Sequence, residues 1–211
     1  MSELPIIFTS ESVRAIEILA KTQTRRVVAC PRWAEPKTLE VDPDDPHKLL
    51  VVCRQSGCLA EVKPRYQVGD RLWVKEPHWR FTGCGQPGPE FIRSPDGDRY
   101  KARAWLDAID GDDLSSVVKV SPLYMPRWAA RHLIDVLDVR VERLQDISEK
   151  DAVAEGVESH IDDGATYYGL FGNGHASAVH EFHRVWDRIN GKRAPWKSNP
   201  RVFVYEFRKV D

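Results

Sequence analysis

Residues 133–144, LIDVLDVRVERL, carry the longest uninterrupted strand pattern in the chain. At roughly 3.3 Å per residue the run spans about 40 Å. With neither Gly nor Pro to break it, it commits the chain to a sheet. Leu133, Asp135, Leu137, Val139 and Val141 share one parity, and a period of two sends them to one face. That face is expected to point inward and to take Asp135 with it. A carboxylate among apolar neighbours needs a cation or hydrogen-bond donors in reach, so Asp135 is a candidate for chemistry.

The other strand signals are short and dispersed. Ile6–Thr9 is followed by a helix that Ser10 can cap, with Val13, Ile16 and Ala20 in helical period, and then by KTQTRRVV at 21–28. The turn Val68-Gly69-Asp70 precedes RLWVKE at 71–76, where Glu76 follows Leu72 and Val74 on their face. Ser148 opens a short helix that Gly156 closes. A longer helix over about 176–190 carries the stripe Val179, Phe182, Val185, Trp186 and Ile189, and residues 201–209 form a last strand. Residues 31–66, with prolines at 31, 36, 43, 46 and 64, and residues 80–120 read as insertions within a single domain spanning 1–211. In them, Leu49–Cys53 is a strand-like island and Ser94–Asp98 a hairpin turn. With no βαβ repeat and no Gly-rich phosphate loop, the pattern predicts the α+β class, as a small mixed barrel.

Lys plus Arg total 31 against 32 Asp plus Glu, a formal net charge of -1, so nucleic-acid binding would have to rest on a local patch. No apolar run approaches the ~18 residues a membrane helix needs, and Met-Ser-Glu-Leu-Pro lacks a basic leader; a cytoplasmic protein without a membrane partner is expected. The four cysteines, at 30, 53, 58 and 84, have irregular gaps and are read as free thiols rather than a zinc knuckle. Neither a metal nor another cofactor is expected.

KTQTRR is the most informative stretch. An extended backbone there puts Thr22, Thr24 and Arg26 on one face, just after Lys21 at a helix end. The loop GKRAPWKSNP offers Lys192, Trp196 and Asn199, a cation, a flat indole and an amide, which suit the π-face and polar edges of a nucleobase. Trp186 belongs to the helical stripe and is assigned to the core.

Taken together, KTQTRR, VGDRLWVKE, LIDVLDVRVERLQDIS with SEKDAVAEG, and FHRVWDRINGKRAPWKSNPRVFVYEF resemble the ASCH domain superfamily in its larger, phage- and prophage-associated form. The resemblance implies a PUA-like mixed β-barrel with helices packed at its ends and a cleft for RNA or a modified nucleoside. Small N4-acetylcytidine amidohydrolases of that superfamily carry K-x-x-T-x-R followed by a strand glutamate. Lys21, Thr24 and Arg26 reproduce the motif, and Asp135 stands where the glutamate is expected. The resemblance implies Thr24 as nucleophile, Lys21 as its activator and Asp135 as proton carrier. The leading expectation is a protein that binds RNA or a nucleoside, with Arg26, Glu76, Lys192, Trp196 and Asn199 as binding residues beside Lys21. An amidohydrolase acting on N4-acylated cytidine and a phage structural or morphogenetic protein are the alternatives. RNA against DNA and the oligomeric state are left open by the sequence.

Overall fold

The computed structural model describes residues 3–31, 39–45, 48–53, 55–81, 91–92, 117–169 and 174–210; the turn expected at Ser94–Asp98 and Cys84 lie outside the described residues. In chain order the strands are β1 (Glu3–Ile7), β2 (Gln23–Val27), β3 (Glu40–Val41), β4 (Leu49–Val52), β5 (Leu59–Glu61), β6 (Arg71–Lys75), β7 (His78–Phe81), β8 (Phe91–Ile92), β9 (Val117–Val120), β10 (Leu133–Arg143), β11 (Ser159–Asp162), β12 (Ala165–Tyr168) and β13 (Arg201–Val210). The α-helices are α1 (Ser10–Glu17), α2 (Glu149–Ala154) and α3 (Ala178–Asn190). The class is mixed α+β, and among the described residues no sheet closes into a barrel.

The chain divides into two compact units. One comprises Met1–Leu19, Arg71–Ile134 and Lys209–Asp211. Here β1 runs parallel to β6, Glu3 opposite Arg71 and Ile7 opposite Lys75. Thr9, one residue earlier than expected, caps α1 by accepting from Ser12 N, and Val13, Ala15 and Ile16 turn the helix's apolar side inward. The alternation of β6 is as read: Leu72, Val74 and then Glu76 are buried.

The other unit comprises Ala20–Asp70 and Asp135–Arg208. Strand β13 is its central strand, with β10 on one side and β2 on the other. The β2–β13 pairing is antiparallel, with Gln23 opposite Glu206, Thr24 opposite Tyr205, Arg25 opposite Val204 and Arg26 opposite Phe203. Opposed residues share a face, so Gln23, Arg25, Val204 and Glu206 lie on one side and Thr24, Arg26, Phe203 and Tyr205 on the other. The first side is the helix side: Val202 and Val204 join Leu144, Ile147, Ala152, Ala178, Phe182 and Trp186 in one apolar core. Trp186 is a core residue, its indole N–H donating to Ala194 O at 2.8 Å. Ile189, counted in the stripe, is half exposed. The segment 31–66 contributes not one strand but the three-stranded sheet β3-β4-β5.

The parity expected for β10 is corrected. Ile134 and Val136 are its buried residues, while Leu137 is 49% exposed. The face was misjudged because its later positions, Asp138, Arg140 and Glu142, are polar. They are nevertheless partly buried, in ionic contacts that substitute for water.

Candidate functional site

The chain enters β2 alongside the end of α2. Thr22 N donates to Ala154 O at 2.9 Å, and Lys21 forms an isolated bridge with Glu155. Ser148 caps α2, accepting from Asp151 N. After Glu155 the chain turns at Gly156, whose φ of 88° favours glycine. These local signals fix Asp151 and Glu155, four residues apart and so on one side of the helical turn, against the helix side of β2.

Lys21 Nζ donates to Glu155 Oε2 at 2.8 Å and to Glu155 O at 2.5 Å, and both side chains are more than nine-tenths buried. Arg25 forks across the same carboxylate: NH1 donates to Glu155 Oε1 at 3.1 Å and to Gln23 Oε1 at 2.6 Å, while NH2 donates to Glu142 Oε2 at 2.9 Å. Arg140 donates to Glu142, Glu206 and Asp151, and Gln23 Nε2 links Asp151 with Glu206. Three cations (Lys21, Arg25 and Arg140) thus meet four carboxylates (Glu142, Asp151, Glu155 and Glu206). The cationic side chains of KTQTRR on this face are compensated inside the protein and are not displayed to a phosphate. Burial pushes the Lys21 ammonium below the ordinary lysine range, with Glu155 opposing the shift.

Thr24 is on the opposite face, 5% exposed, and among the described residues no hydrogen bond reaches its hydroxyl. Its neighbours on that face along β2 are exposed Thr22 and partly exposed Arg26. Tyr205, opposite Thr24, meets Tyr66 edge to face at 5.3 Å between ring centroids. Burial draws the Arg26 pKa down, and the charges of Arg26, Lys21 and Glu155 lie near enough to influence one another. Burial also pushes both tyrosine hydroxyls up, keeping them neutral.

The remaining candidates lie elsewhere. Asp135 meets Arg208 at 3.6 Å. Arg208 is three residues beyond Tyr205 on β13, about 10 Å of strand rise, so Asp135 is not brought to Thr24; the carboxylate at Lys21 is Glu155. Glu76 belongs to the other unit, where Arg131 holds it through two hydrogen bonds of 2.8 and 2.7 Å and also reaches Glu17 at 2.7 Å. Trp196 packs on the α3 core, stacks on His183 at 4.8 Å, and its backbone N–H donates to Asp187 Oδ1 at 2.7 Å. Asn199 turns the chain with φ 41°, its amide oxygen accepting from Gln145 N. Lys192 is exposed. Sequence reasoning missed Glu142, Asp151 and Glu155. The Asp138, Arg140, Glu142 alternation and the Asp151/Glu155 spacing were the signals available.

Among the described residues no group of three or more His, Cys, Asp or Glu converges to hold a metal ion, and no helix is long and apolar enough to cross a membrane. No family model, curated protein or solved structure matches the chain.

Proposed function

We propose that the chain acts on a nucleoside bearing an N-acyl group, of the N4-acylcytidine kind, with Thr24 as nucleophile, Lys21 as its base and Glu155 as the carboxylate that holds Lys21. The observation that carries this reading is the buried Lys21–Glu155 pair, hydrogen-bonded at 2.8 Å just before β2 and near enough to feel the charge of Arg26, which shares its face of the strand with a Thr24 hydroxyl that the described fold leaves without a hydrogen bond. A buried lysine of lowered pKa beside a carboxylate is a recurrent device for moving a proton near neutral pH. The motif likeness of Lys21, Thr24 and Arg26 supports the same reading, and a PUA-like ASCH fold is part of the proposal.

In this mechanism the neutral Lys21 amine takes the Thr24 proton as Oγ1 adds to the acyl carbonyl. The resulting ammonium gives that proton to the cytosine nitrogen as the amide C–N bond breaks. Water then cleaves the threonyl ester, releasing the carboxylic acid and restoring the hydroxyl. Glu155 stabilises the ammonium at each charged stage, and Arg26, on Thr24's face, is the donor nearest in sequence for the carbonyl oxygen.

The test is release of cytidine from N4-acetylcytidine, followed by chromatography. Wild-type protein is expected to turn it over, with Thr24→Ala lowering kcat at least about 100-fold while circular dichroism stays unchanged. A Thr24→Ala protein as active as wild type would overturn the assignment.

A second reading, binding of an RNA strand without chemistry, is favoured by the exposed side chains of Lys192, Arg193 and Lys197 on the loop after α3, which carry charge that phosphates can use.

A further inference from the structure

Strands β4 and β5 pair antiparallel with Val52 opposite Leu59, and the next step of that register sets Cys53 opposite Cys58. Cys53 N donates to Cys58 O at 2.9 Å, and Gly57 N returns a bond to Cys53 O at 2.9 Å. Both sulfurs gather around Ser56. Cys58 Sγ lies 3.7 Å from Ser56 O, and the Cys53 thiol feels the Ser56 hydroxyl and the N–H groups of Ser56 and Gln55. Those donors favour the thiolate and hold the Cys53 thiol below its ordinary range. Cys58 is exposed and Cys53 partly so, which leaves both open to a small oxidant.

We propose that Cys53 and Cys58 form a peroxide-oxidisable thiol pair at the tip of this hairpin, Cys53 attacking and Cys58 resolving. The Cys53 thiolate attacks one oxygen of hydrogen peroxide; the O–O bond breaks, hydroxide leaves and the sulfur becomes a sulfenic acid. The Cys58 sulfur then attacks that sulfenic sulfur, and the departing hydroxide takes up the Cys58 thiol proton as water. Two thiols have lost two electrons to one peroxide, leaving an S–S bond.

Directly opposed residues hold their Cβ atoms about 4.5–5.5 Å apart, against roughly 3.8 Å across a disulfide. Closure therefore asks the hairpin tip to give by about an ångström. Gly57, at φ 67° and with nothing within 4 Å of where a Cβ would stand, leaves the turn room to do so. A bridge closed in this way reopens readily to a thiol reductant, which suits a reversible modification rather than a structural staple.

The experiment uses the full chain carrying Cys30→Ser and Cys84→Ser, treated with one equivalent of hydrogen peroxide and read by intact mass and peptide mapping. Expected are a mass loss of about two daltons, a peptide joining Cys53 to Cys58, and full reversal by dithiothreitol. In the untreated protein iodoacetamide should label Cys53 about tenfold faster than Cys58 at pH 7. Sulfinic acid at Cys53 without a crosslink, disulfide-linked dimers in place of the internal bridge, or faster labelling of Cys58 would overturn the proposal. Should the double serine variant fail to fold, mapping of the wild-type protein gives the same readout.

Discussion

Arg25 and Lys21 are both buried and both bind Glu155, yet they contribute to stability in opposite ways. Arg25 spreads its planar fork over Gln23, Glu142 and Glu155, a geometry lysine cannot copy. Removing it strands two carboxylates, so Arg25→Met should lower stability to urea by about 3 kcal/mol, with Arg25→Lys recovering less than half. A loss under about 0.5 kcal/mol would mean that the network holds nothing together. Lys21 differs because burial outweighs Glu155 and its folded pKa is lowered. For a base, that sign means the folded state binds its proton less tightly than the unfolded state does. The charge therefore opposes folding at neutral pH, and the opposition fades as pH rises towards the ordinary lysine range. Lys21→Met should accordingly change stability by less than about 1 kcal/mol, because Arg25 still holds Glu155, while abolishing turnover. A large loss of stability on Lys21→Met would assign the lysine to the scaffold.

Helix ends are where sequence and structure agreed best. Ser148 and Gly156 bracket α2 as read, because caps are local chemistry that needs no tertiary context. The face of β10 was not legible: apolar content favoured Leu137 and Val141, whereas tertiary partners brought Arg140 and Glu142 into the ionic cluster. Glu155 was equally silent, since nothing in SEKDAVAEG announces a lysine 134 residues away. Glu149, in the first turn of α2, has a carboxylate that caps α3. It accepts from Ser177 Oγ at 2.6 Å and from Ala178 N at 2.6 Å. The Ser177 hydroxyl, with the N–H groups of Ala178 and Val179, holds the Glu149 carboxyl below its usual range against the effect of burial. A depressed acid contributes stability above its unfolded pKa and loses it as pH falls through the folded value. Glu149→Ala should therefore cost about 1 kcal/mol at pH 7. The gap from wild type should close as pH drops below the ordinary glutamate range, as read by thermal melts across an acid series. A pH-independent gap would point to packing instead.

Over the whole molecule 31 basic residues offset 32 acidic ones, and Lys21, Arg25 and Arg140 are neutralised internally. For RNA bound at the loop after α3, exposed Lys192, Arg193 and Lys197 offer about three phosphate contacts, so the logarithm of affinity for single-stranded RNA should fall against log salt with a slope near -2. A slope of about -6, from fluorescence anisotropy, would require more phosphate contacts than that loop supplies. The central claim concerns which carboxylate serves the chemistry, and two isosteric variants decide it in one assay. With N4-acetylcytidine as substrate, Glu155→Gln should lower kcat by about 100-fold or more, because the Lys21 ammonium loses its counter-charge, while Asp135→Asn, affecting a residue paired with Arg208, should leave kcat within about twofold. Loss of turnover in Asp135→Asn with Glu155→Gln fully active would contradict the account.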